Sequence, residues 1–319
     1  MKKTKTTKKI KSTSVASKPA SSSCCVNVWS WSIYAYWFII LFFIASTFYI
    51  LGRSHEFTHP RPNVVITEET LVQASDYVAD AKEQLIAGDM DAAIKSLTAS
   101  IDANAASDTY TLRGEAYMQM GDYQNALADF DSALQIDGVN AVAFYDRALL
   151  NTRLENYEAA WVDINNAMSA QSMKPSGVLN LRDLYAKRGQ LNLWRKNWQG
   201  AVADYTNSLA RAEGSISANV YAERAEAYTA LGEYENAIND YTSAVRVISE
   251  QIQATPTQEM REAQSSNAMS YFEKSAALNL NIGNVSAAKT DLESAFAIAV
   301  ALNDEESMAR IQTLLGGLN

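Results

Sequence analysis

The sequence predicts an all-α chain: a solenoid of about six helical hairpins closed by a C-terminal capping helix and preceded by a single transmembrane helix. Three observations lead there. With 13 glycines and 5 prolines in 319 residues, turn breakers are too few for a fold of many short strands. From residue 74 onward a set of small and aromatic residues returns about every 34 positions, the mark of stacked units rather than of one layered core. No charged residue lies between Lys18 and Arg53, and 33–51 is apolar apart from Ser46, Thr47 and its tyrosines.

Composition narrows the function classes. Hydrophobic residues make up 48% and charged residues 20%, so the chain can bury a sizeable core. Cys24, Cys25, His55 and His59 are its only cysteines and histidines. Everything beyond His59 therefore lacks the residue types of thiol chemistry, imidazole base work and most transition-metal sites. There is no phosphate-binding glycine loop, no HExxH and no cysteine pair at zinc spacing. An enzyme, a cofactor, a metal and a small-molecule substrate are not expected. Net charge is −9; residues 1–27 hold seven lysines and no acid, and Arg53 adds one more, which leaves −17 for residues 54–319. That acidic body lacks the basic stripe nucleic acid requires and suits a basic or apolar partner.

The elements follow in chain order. Residues 1–27 read as a basic cytoplasmic tail and 28–51 as the membrane helix, since a bilayer needs ~20 apolar residues. Trp29, Trp31, Tyr34, Tyr36 and Trp37 crowd one end of it and Tyr49 marks the other, as interface-seeking rings do. A cleaved signal peptide is the rival reading. Its apolar core runs to ~15 residues at most and ends in small side chains, whereas this run ends in Phe48, Tyr49, Ile50 and Leu51, which favours a retained signal-anchor. The lysine excess before the helix places the N-terminus in the cytoplasm and the body beyond the membrane. Cys24 and Cys25 lie at the inner membrane face, either acylated or as free thiols. Residues 52–73 read as a linker; Pro60 and Pro62 break the helix that His55 and His59 need to act as a metal pair.

Six hairpins fit 74–302, at about 74–106, 107–140, 141–174, 182–215, 218–251 and 269–302. Ala93, Ala126, Ala160, Ala201, Ala237 and Ala288 fill one column early in the second helices, and Ala81, Gly114, Ala148, Gly189, Ala225 and Ala276 another in the first. Small residues at both places let paired helices approach closely. Tyr77, Tyr110, Phe144, Tyr185, Tyr221 and Phe272 supply bulk from the first helices, and Leu97, Phe130, Ile164, Tyr205, Tyr241 and Leu292 from the second. Gly88, Gly121, Gly232 and Gly283 mark the turn, with Glu155 and Lys196 in copies three and four. The clearest copy, with Gly114, Tyr117, Gly121, Tyr123, Ala126, Phe130 and Ala133, resembles the tetratricopeptide repeat family. No copy has the family's usual closing proline; Gly138 stands there in copy two.

Intervals in the invariant alanine column are 33, 34, 41, 36 and 51, which locates insertions at 175–181 and 252–268. The second should end one helix at Thr255-Pro256-Thr257 and start a lengthened one. Residues 303–319 read as the cap, with Met308, Ile311, Leu314 and Leu315 on one face and Asp304, Glu305 and Glu306 in its first turn. Four copies set an arginine sixteen residues before an aspartate: Arg113 and Asp129, Arg147 and Asp163, Arg188 and Asp204, Arg224 and Asp240. Four-fold repetition fits a tie between the two helices of each hairpin better than a catalytic pair.

The family resemblance implies a groove lined by first helices that holds extended segments of other proteins. Helical phase puts Thr111, Glu115, Tyr145, Leu149, Ala186, Gln190, Ala222, Glu226 and Glu273 there. Members that clamp acidic chaperone tails use Lys, Asn and Arg at such positions; acidic and apolar residues stand there in this chain, so that activity is not implied. The expectation is a membrane-anchored scaffold acting outside the cytoplasm, in assembly or quality control of proteins. The alternative is an organelle or inner-membrane receptor whose solenoid faces the cytosol.

Overall fold

A computed structural model describes residues 67–211 and 217–318. Among them lie thirteen α-helices and no strand. They pair as α1 (Glu68–Ala87) with α2 (Met90–Ala103), α3 (Ser107–Met120) with α4 (Tyr123–Ile136), and α5 (Ala141–Arg153) with α6 (Tyr157–Met173). Next come α7 (Leu181–Trp194) with α8 (Trp198–Leu209), α9 (Ala218–Leu231) with α10 (Tyr234–Gln251), and α11 (Gln258–Asn281) with α12 (Val285–Leu302); α13 (Glu305–Gly316) follows alone. The predicted tail with Cys24 and Cys25, the apolar stretch 28–51, and His55 and His59 lie outside the described residues. Among the described residues no helix is long and apolar enough to cross a membrane. The helical part starts earlier than the expected linker boundary at 73: Thr67 caps α1, and Thr70 returns the bond in a capping box, so 68–73 are helical.

Four of the six second helices start alike, while Asn156 and Glu233 make no side-chain cap bond. Asp89, Asp122, Asn197 and Asn284 each accept the backbone N–H three residues on, at 3.0, 3.3, 3.2 and 3.2 Å. Just before this cap the backbone turns left-handed. Glycine takes that turn at Gly88, Gly121, Gly232 and Gly283, and Glu155 (φ 61°) and Lys196 (φ 57°) adopt the same conformation without glycine's ease. The departures in copies three and four therefore leave the turn unchanged.

The alanine column early in the second helices has no exposed surface in any of the six copies. Across from the bulky column of the same helices, Cβ space is rationed. A methyl group on Gly114 would sit 2.7 Å from Phe130 Cε1, and one on Gly189 would sit 2.9 Å from Tyr205 Cε1. Where the facing residue is aliphatic, as Leu97, Ile164 or Leu292, alanine stands opposite instead, at Ala81, Ala148 and Ala276. Copy five departs, with Ala225 opposite Tyr241; in the other five a larger residue in one column goes with a smaller one in the other, as close packing favours. The first-helix aromatics do less filling than expected: of Tyr77, Tyr110, Phe144, Tyr185, Tyr221 and Phe272 only Tyr110 is buried. Four of them lie under the arginine three residues on, with guanidinium carbon 5.5–6.0 Å from the ring centre.

Those arginines hold three helices each. Nε and Nη2 of Arg113 donate to both oxygens of Asp129 at 2.8 and 2.7 Å, and Nη1 donates to Thr98 Oγ1 of the preceding repeat at 3.0 Å. Arg147 binds Asp163 and reaches Asp131 at 2.6 Å; Arg188 binds Asp204 and reaches Asn165 at 3.2 Å; Arg224 binds Asp240 and reaches Thr206 at 2.9 Å. Asn151 and Asn192 add a bond to Asp163 and Asp204. In the last repeat, which lacks the arginine, Ser275 and Asn279 hold Asp291 at 2.7 and 2.9 Å.

Both insertions are ordered. Gln171 pins the loop after α6, accepting from Ser176 N and donating to Leu179 O at 3.0 Å each. After α10 and a single 3-10 turn at Ile252–Ala254, Thr257 caps the 24-residue α11. In α13, Ile311 is fully buried with Met308 and Leu315 beside it, but Leu314 points outward. Asp304 precedes the first turn rather than belonging to it, accepting the Ser307 N–H at 3.0 Å. Trp198 is half-buried, and Trp194 leans on Tyr157 with ring centres 4.6 Å apart.

Arg113→Ala leaves the Asp129 carboxylate buried without its cation, so it should cost ~3–5 kcal/mol in urea denaturation. A double-mutant cycle with Thr98→Val should show coupling of ~0.5 kcal/mol or more. Zero coupling would mean the arginine ties only its own hairpin.

Candidate functional site

In a stack of hairpins the first helices line the inner face, and here α3 touches α5 and α7 touches α9 directly. The expected groove residues fall into different situations on that face. Thr111 is buried and occupied, donating to Ser107 O at 3.0 Å and accepting from Asn140 Nδ2 at 3.3 Å. Ala222 is buried too, and Ala186 is half-buried. Tyr145 is half-buried against the cluster of Ile164, Leu184 and Leu191 at the boundary with the next repeat, and Leu149 is half-buried. Gln190 is exposed and accepts from Lys187 Nζ at 2.9 Å. Glu226 is paired with Lys274 at 2.7 Å, and Glu273 with Arg310 of the cap helix at 2.8 Å. The last two are neutralised within the molecule, so their charge is not free for a partner.

Sequence reasoning missed the other half of this face. Asp146, Lys187, Glu223 and Lys274 sit one residue before the arginine column, or before Ser275 where that column ends. Three residues of this row meet a groove residue of the preceding repeat: Asp146 meets Glu115, Glu223 meets Gln190, and Lys274 meets Glu226; Lys187 bonds Gln190 of its own helix instead. The signal was a charge inside a first helix, next to the arginine and off the solvent stripe.

The electrostatics of two junctions differ. Between repeats four and five, burial pushes the Glu223 carboxyl up, while Tyr205 O–H donates to it at 2.9 Å and Lys187 stands near. Burial lowers the Lys187 ammonium in turn. That network is closed. Between repeats two and three, burial and then the neighbouring Glu115 push the Asp146 carboxyl well above the usual carboxylate range. Burial pushes Glu115 up as well. Among the described residues no lysine or arginine pairs with either, and the only hydrogen bond open to the buried Asp146 Oδ2 is one shared with the Glu115 carboxyl when one of the two is protonated. A cleft of about 470 Å³ opens beside Glu115, between α3, the start of α5 and the loop after α6.

No group of three or more metal-ligating side chains occurs among the described residues. Comparison with known proteins agrees with the repeat reading. Sequence profiles of the tetratricopeptide repeat match residues 107–138 and 218–250; both describe the repeat and neither a catalytic family. The chain is 31% identical over 88 residues to the protein SGT1 homolog of rice, Oryza sativa subsp. japonica, covering 27% of this chain and 24% of that one. It spans about a quarter or less of the length of the curated relatives it matches. The solved structure of Pseudomonas aeruginosa PilF superposes with a TM-score of 0.56 at 14% identity, covering 77% of this chain and 99% of that one. YrrB, described as a tetratricopeptide repeat protein with an unusual peptide-binding site, superposes with a TM-score of 0.53 at 15% identity over 69% and 99%. The profile matches mark tetratricopeptide repeats at those residues, and the superpositions show the all-α solenoid fold.

Because Asp146 and Glu115 keep protons to higher pH when folded, the folded chain binds more protons than the unfolded one above the ordinary carboxyl range. Stability is thus fullest on the acid side of that window and falls as pH rises through it. Asp146→Asn, which keeps the shape and removes the charge, should melt higher than the natural protein at about pH 8, with the gap narrowing toward about pH 5. Equal melting of the two at both values would show that the pair carries no strain.

Proposed function

We propose that this tetratricopeptide-repeat solenoid is a membrane-anchored scaffold that holds extended segments of other proteins along its inner face. The carrying observation is the inner face itself: five consecutive first helices present polar and apolar side chains that take part in no enzymatic constellation, with one acidic junction left without a counter-charge. A basic or apolar segment complements it. The uncharged stretch 33–51 and its lysine-rich leader support anchoring by one helix, N-terminus in the cytoplasm and solenoid outside, in assembly or quality control of proteins there. A receptor facing the cytosol is the second reading, favoured if the lysine leader does not set the orientation.

A reporter that works only in the cytoplasm, fused after Asn319, should be silent, and the chain should stay with membranes washed in alkaline carbonate. Strong reporter activity with membrane retention moves the assignment to the cytosol-facing receptor. Release by carbonate removes the anchor altogether.

A further inference from the structure

We infer that the junction of repeats two and three receives a cationic side chain of the bound segment, a lysine ammonium or an arginine guanidinium, against Glu115 and Asp146. This deepens the segment-binding reading above and rests on it. The inner face elsewhere supplies its own cations: Lys274 for Glu226, Arg310 for Glu273, and Lys187 near Glu223. Only here do two carboxyl groups meet with no such partner among the described residues. Asp146 is 7% exposed, and its carboxyl finds a hydrogen-bond partner only in the Glu115 carboxyl, which requires one of the two acids to be protonated. Two acids held together without a cation become costly once both ionise, and such a cost persists where a site needs it.

The surroundings fit a long cationic side chain. Glu115 lines the cleft, and Asp146 stands directly against it. Leu112, Val139, Val142 and Val178 give the cleft aliphatic walls along which a four-carbon stem can lie while its head reaches the acids. The balance of charge in the lining is negative: Asp108, Glu115 and Asp137 stand against Lys82 and Lys174, Lys174 is spent on Asp137 at 2.8 Å, and Asp146 adjoins Glu115 from outside the lining. The raised Asp146 and Glu115 carboxyls, with Tyr145 and Asp183 on the far side, imply that an incoming cation displaces a proton to solvent. Arginine is the stronger candidate for bridging two carboxyl groups because its donors form a planar fork.

The test uses the purified full-length chain in detergent and four mixed nonapeptide libraries whose central residue is fixed as Lys, Arg, norleucine or Glu. The Lys and Arg libraries should be retained about tenfold or more over norleucine, with more retained at pH 8 than at pH 6, and Glu115→Gln with Asp146→Asn should erase the preference. Melting of the double variant shows that it folds. Retention of all libraries without a cationic preference, or a preference the double variant keeps, overturns this inference and leaves the segment-binding reading standing. Retention of none overturns both. A rise in melting with calcium or magnesium chloride over sodium chloride at equal ionic strength, lost in the double variant, assigns the acids to a metal instead and overturns the inference.

Discussion

Each inner arginine decides where three helices go. Its fork fixes the two helices of its own hairpin through an aspartate, and its remaining nitrogen reaches the second helix of the hairpin before. A hairpin of this length buries too little surface alone, so the stack depends on contacts between neighbours. The arginine places a directional, charge-assisted contact at that boundary. It is mostly buried, with side-chain exposures of 16% for Arg113 and 7% for Asp129, so it supplies register as well as energy. A slip of one residue would leave both charges unpaired inside. The ends of the stack show the same logic by its absence: the last repeat answers Asp291 with Ser275 and Asn279, and the first replaces the pair by Ser96 donating to Gln84 at 2.9 Å.

The same row of the first helices joins fold to function. The arginines face the second helices, and the residue just before each turns toward the inner face. One turn of helix thus serves packing on one side and recognition on the other. Because the arginine cannot move, the neighbouring charge cannot either, so Asp146, Lys187, Glu223 and Lys274 are held in fixed places relative to the preceding repeat. Three of these charges are compensated or hydrogen-bonded internally, which makes most of the inner face neutral at close range despite the acidic body. Specificity then concentrates at the junction that is left over.

Much of this was legible in the sequence. The alanine column, the facing bulky column and the four arginine–aspartate pairs repeat, and repetition exposes a structural role without any coordinates. The left-handed turn at Glu155 and Lys196 was not legible as such, because its usual signal is glycine, yet the spacing to Ala160 and Ala201 implied it. The start of α1 was missed because Thr67 and Thr70 form a cap of threonines alone, without the usual acidic partner. The candidate site was legible by half. Helical phase pointed to Glu115, Gln190, Glu226 and Glu273 but could not tell that Lys274 and Arg310 pair with two of them, since those partners come from other helices. Asp146 escaped because burial of a carboxyl is a tertiary fact.

The central claim is that partners are held on the inner face. A photoreactive amino acid placed at position 190, exposed on that face, or at position 162, exposed on a second helix, tests it in intact cells. Heavier adducts that form from position 190 and not from position 162 are the result this account predicts. Adducts from position 162 alone, or equally from both, would contradict it.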